Sequence, residues 1–446
     1  MNKETLVQAV LNAGIVGEGG AGFPAHVKYN ANADTVIANG CECEPLLHSD
    51  HHVMKHHAQS MLSGLRALGD AVGATRTVLG IKRKHTDIIP MLQTSAKKLG
   101  IEVFLLEDFY PAGDEQILVR EVTGRSVPPL GIPLHVGVVV ANVATLMHVD
   151  DAIKGKPITM KTITVTGEVR NPSVLNAPIG TSMLSLLEAC GGIIPARPVF
   201  VLGGPMMGRV VVGMDALAKE VVTKTSGGLI VIPEGHHLHR NATLSPEFMR
   251  RRAASACIQC RMCSDMCPRN LIGHPFETHK VMQAFAHGAE LSSPQGASAV
   301  ICCECGACEQ FACPMGMSPR RINQFVKASM RASQVTYEGT KELRESAVAM
   351  REFRRIPSKR LASRIGILPY LYLQTPFIGE VKPQEARIPL HQHIGAPSKA
   401  CVQVGAKVCV GDLIGDIPEK ALGAKIHASI SGTVIAVDTH VTIRVG

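Results

Sequence analysis

The chain has 446 residues, enough for about three domains at roughly 150 residues each. Its hydrophobic content of 46% is enough to bury real cores and excludes a disordered tail. The 46 Lys and Arg against 37 Asp and Glu leave a charge of +9 with no basic run, and there is no Trp, which argues against a base-stacking nucleic-acid groove.

No stretch reaches the ~18–20 uncharged apolar residues of a membrane span, so an integral membrane protein is not expected. The opening MNKETLVQAVLNAG contains Glu4 and no long apolar region, which predicts no secretory signal and a soluble, cytosolic protein. Next comes Gly17-Glu18-Gly19-Gly20-Ala21-Gly22-Phe23-Pro24, with four glycines in six residues. Such a loop lets backbone N–H groups approach a phosphate, although the same glycines also make ordinary turns.

Short β-rich runs at 35–40, 75–82, 101–106 and 135–141 alternate with helical patterns at 49–69, 84–99 and 113–123. That alternation predicts an α/β unit with a largely parallel sheet, whose ligand sits at the carboxyl ends of the strands. Asn39-Gly40-Cys41-Glu42-Cys43-Glu44-Pro45 places polar groups at such an end. His48, His51, His52, His56 and His57 cluster just after it, with 48, 52 and 56 on one helix face. No acidic or Cys partner is read as completing a metal site, so a solvated helix face is expected.

Residues 158–212 contain two β-rich segments and then a helix, Leu184–Ala189, stopped by Gly191-Gly192. Residues 214–250, with His236, His237 and His239, read as a linker. Nine of the 14 cysteines follow, within 257–313.

Cys257-x2-Cys260-x2-Cys263-x3-Cys267-Pro268 has the spacing of the bacterial ferredoxin run, in which the fourth cysteine serves the other cluster. Cys302-x2-Cys305-x2-Cys308-x4-Cys313-Pro314 repeats it with one residue more before the last cysteine. Paired CxxC units also make zinc sites, but the two runs favour a pair of [4Fe–4S] clusters. Cluster 1 is expected on Cys257, Cys260, Cys263 and Cys313, and cluster 2 on Cys302, Cys305, Cys308 and Cys267. Cys303 is an alternative to Cys302. Ile258, Met262 and Met266 are expected to shield the clusters, and Cys190, Cys401 and Cys409 to be plain buried residues. Residues 320–375 read as helical and basic, and residues 381–446 as β-rich.

GEGGAGFPAHVK and NGCECEP, followed by Tyr110-Pro111-Ala112-Gly113-Asp114-Glu115 and Ala141-Asn142-Val143-Ala144-Thr145, together resemble the flavin-binding subunit of respiratory complex I and the RnfC subunit of Rnf electron-transport complexes. The resemblance implies FMN held by Gly17, Gly19, Gly20, Ala21 and Lys28 on the phosphate side. Asn39, Cys41, Glu42, Tyr110, Gly113, Asp114, Asn142 and Thr145 would line the flavin and ribityl chain. Phe23, Glu44 and Glu115 match positions that meet NADH in the complex I family. Glu18 stands where complex I has Arg, and Cys41 and Cys43 where it has Asp and Ser.

The 158–212 segment resembles an SLBB β-grasp module, and 381–446 resembles a barrel-sandwich hybrid whose lysine hairpin here reads Ala428-Ser429-Ile430-Ser431, without the modified Lys. The domain order, with the barrel-sandwich at the C-terminal end, resembles the cobalamin reductase family of bacterial propanediol utilisation over essentially the full chain. The expected architecture is multidomain α/β: a Rossmann-like flavin domain (1–155), the β-grasp module (156–213), a linker (214–250), a helical ferredoxin-type two-cluster domain (251–330), a helical linker (331–380) and the barrel-sandwich domain (381–446). The resemblance implies electron transfer from NADH through FMN and two [4Fe–4S] clusters to cob(III)alamin and cob(II)alamin. It also implies an adenosyltransferase as partner and a bacterial microcompartment, with contacts to its shell proteins, as the location. An RnfC-like subunit of a membrane complex, or a non-catalytic docking protein bearing clusters, is the alternative.

Overall fold

The computed structural model describes residues 1–290, 293–344 and 349–446. The N-terminal unit is a four-stranded, fully parallel sheet in the order β3-β2-β1-β5, from β1 (Thr35–Gly40), β2 (Arg76–Lys82), β3 (Glu102–Leu106) and β5 (Val138–Asn142). All four therefore present their carboxyl ends along one edge. The run Thr35–Ala38 is buried throughout, as a strand covered by helices on both faces requires.

Helices α1 (Lys3–Asn12), α2 (Ala25–Tyr29), α3 (Ser49–His56), α4 (Ala58–Val72), α5 (Ile89–Lys98), α6 (Glu115–Thr123) and α7 (Val143–Ile153) surround it. The expected helix over 49–69 is two helices, broken at His57, where the backbone leaves helical geometry. Met61, Leu62, Leu65, Leu68 and Val72 form one apolar stripe of α4. Gly64 faces α7 so closely that a Cβ would stand 2.0 Å from the Leu146 carbonyl oxygen, so only glycine allows this crossing. The short strand β4 (Phe109–Tyr110) lies outside the sheet and pairs antiparallel with β11 (Ile356–Pro357).

The second unit is a six-stranded mixed sheet in the order β12-β7-β6-β10-β8-β9. It comprises β6 (Met160–Gly167), β7 (Ser173–Pro178), β8 (Pro198–Leu202), β9 (Arg209–Val212), β10 (Gly228–Pro233) and β12 (Phe377–Glu380), with helix α8 (Met183–Ala189) packed on it. This corrects the linker expected over 214–250: Gly228–Pro233 is an internal strand of the sheet, between β6 and β8. Its run of five buried residues from Gly228 to Ile232 has no polar alternation because both faces are covered.

The helical linker expected over 331–380 is corrected too. The helix Pro319–Ala332 ends there, and the described residues beyond it include turns, β11, a helix Ser358–Arg364 and β12. The basic stretch singled out in this region includes 345–348, which lie outside the described residues. Two of its described arginines are tied to the N-terminal unit: Arg351 and Arg355 both bind Glu121, and Ser358 Oγ donates to Asp108 at 2.8 Å.

The C-terminal strands form two facing sheets, one holding Glu385–Pro389, His440–Arg444, Gly432–Val437 and Lys407–Val408, the other Lys399–Ala400, Leu413–Asp416 and Ile426–His427. Ile388, Ile414, Ile426, Val434, Val441 and Ile443 fill the space between them. At the lysine hairpin Ser429 is buried and donates to the Ile179 carbonyl of the β-grasp unit, so the hairpin is a packing surface rather than an arm. Cys190 is buried as expected, but Cys401 and Cys409 are exposed.

Candidate flavin and iron–sulfur sites

The carboxyl edge of the parallel sheet gathers most of the residues singled out for FMN. Asn39, at the end of β1, donates from Nδ2 to the Gly113 carbonyl at 2.8 Å and accepts from the Cys41 N–H at 3.1 Å. Gly113 N–H donates to Cys43 Sγ at 2.6 Å, and that thiol donates to the Cys41 carbonyl at 3.1 Å. A Cβ on Gly113 would lie 2.2 Å from the Cys41 oxygen, so glycine is required for the two segments to meet. Glu42 accepts from the Glu44 N–H at 3.0 Å and closes the same turn.

The glycine loop is held over the start of α7. Gly17 N–H donates to the Phe23 carbonyl at 2.8 Å, and Glu18 N–H donates to Thr145 Oγ1 at 3.0 Å. Asn142 caps α7 by accepting from Ala144 N–H, and a Cβ on Gly19 would stand 3.2 Å from its Cβ. Gly19, Gly20 and Ala21 are exposed, and nothing lies within 4 Å in front of Gly20. An open glycine cradle at the N-terminus of an 11-residue helix suits a phosphate, so these residues fit FMN.

Several expected ligands have other partners. Lys28 is ion-paired with Glu115, so its charge is already matched within the chain. Glu18, in place of the complex I Arg, is buried and paired with Lys161, with His148 Nε2 at 3.5 Å from its other oxygen. Glu44 accepts from the Met206 N–H of the β8–β9 loop at 2.8 Å, and its Oε1 has no hydrogen-bond partner. Phe23 remains exposed at the loop.

Asp50 is a member of this edge that sequence reasoning missed. It is buried, accepts from Asn142 Nδ2 at 2.8 Å, and is pushed up to about 8, first by burial and then by the charge of Glu42. Burial likewise pushes Glu42 and Glu44 up to about 7. A single Asp inside a helix start carries no motif, so no local pattern could have marked it.

The cysteines come together in the crossed arrangement. Cys257, Cys260, Cys263 and Cys313 line one cavity, closed from within by Met282 and Met317. Cys267, Cys302, Cys305 and Cys308 interact around a second centre, and Cys303 interacts with Cys267 and Cys305 there as well. The backbone repeats between the runs: Gln259 and Glu304 both have positive φ, at 53° and 61°, and so do Arg261 and Gly306, at 64° and 78°. That register aligns Cys302 with Cys257 and Cys303 with Ile258, while the Cys303 thiol is itself half-buried and hydrogen-bonded to Cys305.

The extra residue of the second run has a structural counterpart. A short α-turn, Met262–Asp265, spans the first interval, whereas a π-helical turn, Ala307–Ala312, spans the second. A π-turn absorbs one inserted residue while keeping its ends in place. Cys257 and Cys313, partners in one set, share the same backbone angles of −74° and 113°.

The two sets differ in surroundings. Cys260 is exposed, and Ile258, Met262 and Met315 stand 60%, 42% and 39% exposed around it. Ile258 lines the cavity of this set while remaining largely exposed, Met262 is exposed beside it, and Met266 packs inward. Cys267, Cys305 and Cys308 are buried.

Tyr110, expected beside the flavin, donates from its hydroxyl to the Cys305 carbonyl at 2.5 Å. Asp114 caps α6 and also takes Arg269, two residues after Cys267, in a bidentate pair at 2.6 and 2.9 Å. Both residues thus tie the flavin domain to the second cysteine set. The β8–β9 loop completes the junction, since Met206 binds Glu44 through its N–H and Arg320 through its carbonyl.

Comparison with known proteins agrees with this division. The Nuo51 FMN-binding domain matches residues 10–151, the SLBB domain 162–210, the 4Fe-4S dicluster domain 256–318 and the RnfC barrel sandwich hybrid domain 374–445. Cobalamin reductase PduS of Salmonella typhimurium is 39% identical over 439 residues, covering 98% of this chain and 95% of that protein. The chain belongs to the cobalamin reductase PduS family.

The PduS of Citrobacter freundii is likewise 39% identical, over 97% of this chain and 94% of that protein. A component of the Na(+)-translocating ferredoxin:NAD(+) oxidoreductase complex of Acetobacterium woodii is 35% identical, but over 61% of this chain and 59% of that protein. The chain carries the FMN-binding and 4Fe-4S dicluster domains, so FMN and iron–sulfur clusters are its cofactors. Among the described residues no helix is long and apolar enough to cross a membrane.

Proposed function

We propose that this chain is an NADH-dependent cobalamin reductase. Electrons enter at the flavin edge and leave through the two clusters towards cob(III)alamin and cob(II)alamin, yielding cob(I)alamin. An adenosyltransferase would use that product to regenerate adenosylcobalamin for 1,2-propanediol degradation in a bacterial microcompartment. Bound FMN supplies the conversion of a hydride into single electrons that clusters can carry.

The chain's own residues supply a direction. The asymmetry between the cysteine sets carries the reading: Tyr110 and the Asp114–Arg269 pair hold the buried set against the flavin edge, while Cys260 opens the other set to solvent. The exposed glycine cradle with Asn142 and Thr145 would hold the FMN phosphate. Asn39, Cys41, Glu42 and Gly113 would line the flavin side of the same edge. Glu44 and Glu115 are engaged within the chain, so Phe23 and the loop around it offer the freer approach for NADH.

The deciding test is an anaerobic assay of the cluster-loaded flavoprotein with NADH and hydroxocobalamin. NADH oxidation coupled to cob(II)alamin formation is the expected result. Reduction of flavin and clusters with unchanged corrinoid would move the acceptor elsewhere and overturn the reading.

A further inference from the structure

We propose that His51, His85 and Asp87 form a binding site for a divalent first-row transition-metal ion of the zinc type, separate from the cluster cysteines. Asp50, the acidic residue of α3 itself, is buried and turned to Asn142, so it does not serve these histidines. The fold supplies an acidic partner from the turn that follows β2, 36 residues along the chain from His51. One ligand atom from each of the three residues lies within 4.8 Å of the others. His51 Nε2 stands 3.1 Å from Asp87 Oδ2, and the two imidazole centroids are 5.1 Å apart.

Both supporting elements are fixed. The turn is closed by His85 N–H donating to the Lys82 carbonyl at 3.1 Å and by Ile88 and Ile89 N–H donating back to the His85 carbonyl. Ile88 is buried beneath it, and Val53 and Met54 anchor α3. Two imidazoles and a carboxylate with a fourth position open are a common zinc donor set. Bonds of about 2.0–2.1 Å place tetrahedral ligands about 3.4 Å apart, so side-chain rotation alone closes the present spacing.

The other charges nearby sort themselves. Lys82 and Lys84 turn to Asp108, at 3.1 and 3.6 Å. Lys55 lies 3.8 Å from Asp87 and is half exposed, so it is the cation an incoming metal displaces, at little cost. His52 belongs to packing instead, buried and stacked on Phe377 at 4.4 Å, which corrects the solvated face expected of it, whereas His56 and His57 are exposed. Because α3 carries Asp50 and the turn follows β2, a bound ion would clasp two segments of the flavin edge together.

The test uses the holoprotein, with FMN and clusters in place, titrated with zinc. Zinc-edge X-ray absorption is expected to show nitrogen and oxygen neighbours without sulfur, and thermal stability is expected to rise. His85→Ala and Asp87→Ala should each weaken binding about tenfold or more, since loss of even an outer-shell partner costs about 10–100-fold. Lys55→Gln should tighten it, and His56→Ala, on the exposed side of α3, should leave it unchanged. Retained FMN and iron content shows that each variant is folded. Equal zinc affinity in wild type and His85→Ala, or a sulfur shell around the zinc, would overturn the proposal.

Discussion

The two cysteine loops share a backbone and differ in what surrounds them. Positive φ falls at the same two positions of each, yet one loop presents Cys260 to solvent while the other is sealed between the flavin edge, the β8–β9 loop and Arg269. Ligand geometry is therefore a local property of the CxxCxxC run. The burial of each cysteine set is a property of the packing around it, supplied by residues far away in sequence such as Tyr110, Asp114 and Met206.

Removing the sealed set tests that difference most severely. Cys305→Ala should lower cobalamin reduction about 100-fold or more while FMN stays bound and NADH still bleaches the flavin. Normal turnover in this variant would break the comparison. Asp114→Ala strands the buried Arg269 guanidinium and should cost about 3–5 kcal/mol of stability, read by chemical denaturation. If the loss matches that of an exposed pair such as Arg197–Glu234, the junction is weaker than its burial suggests.

Tyr110→Phe leaves the Cys305 carbonyl without its donor and should cost about 1–3 kcal/mol. Flavin reduction by NADH should be unaffected and cluster reduction slowed, a split that stopped-flow absorbance resolves. A smaller effect concerns the flavin edge alone. Asp50, Glu42 and Glu44 titrate higher in the folded protein than in the unfolded chain, with values of about 8, 7 and 7. Between about pH 4 and pH 8 the folded state then binds more protons, so stability of the FMN-free protein should decline as pH rises through that window. Asp50→Asn should flatten the decline, as followed by melting temperature against pH.

Much of this was legible in sequence where the signal is local. Cysteine spacing marks both ligand sets and even the extra residue that becomes the π-turn, and the glycine loop and strand alternation mark the flavin edge. The rest depends on residues brought together by the fold. Gly228–Pro233 reads like any short apolar run until β6 and β8 enclose it. Tyr110 and Asp114 sit in a flavin-type segment by sequence, but their side chains serve the junction with the cysteine domain. His51 meets Asp87 only because β1 and β2 end at the same sheet edge.

In the proposed route the sealed set receives electrons from the flavin and the open set delivers them. Its most direct test is anaerobic freeze-quench EPR of a Cys260→Ala, Cys263→Ala double variant after mixing with NADH and hydroxocobalamin. The account predicts a reduced signal from the cluster on Cys267, Cys302, Cys305 and Cys308 at the wild-type rate, with the corrinoid left oxidised. Cobalamin reduced at the wild-type rate in that variant would contradict it.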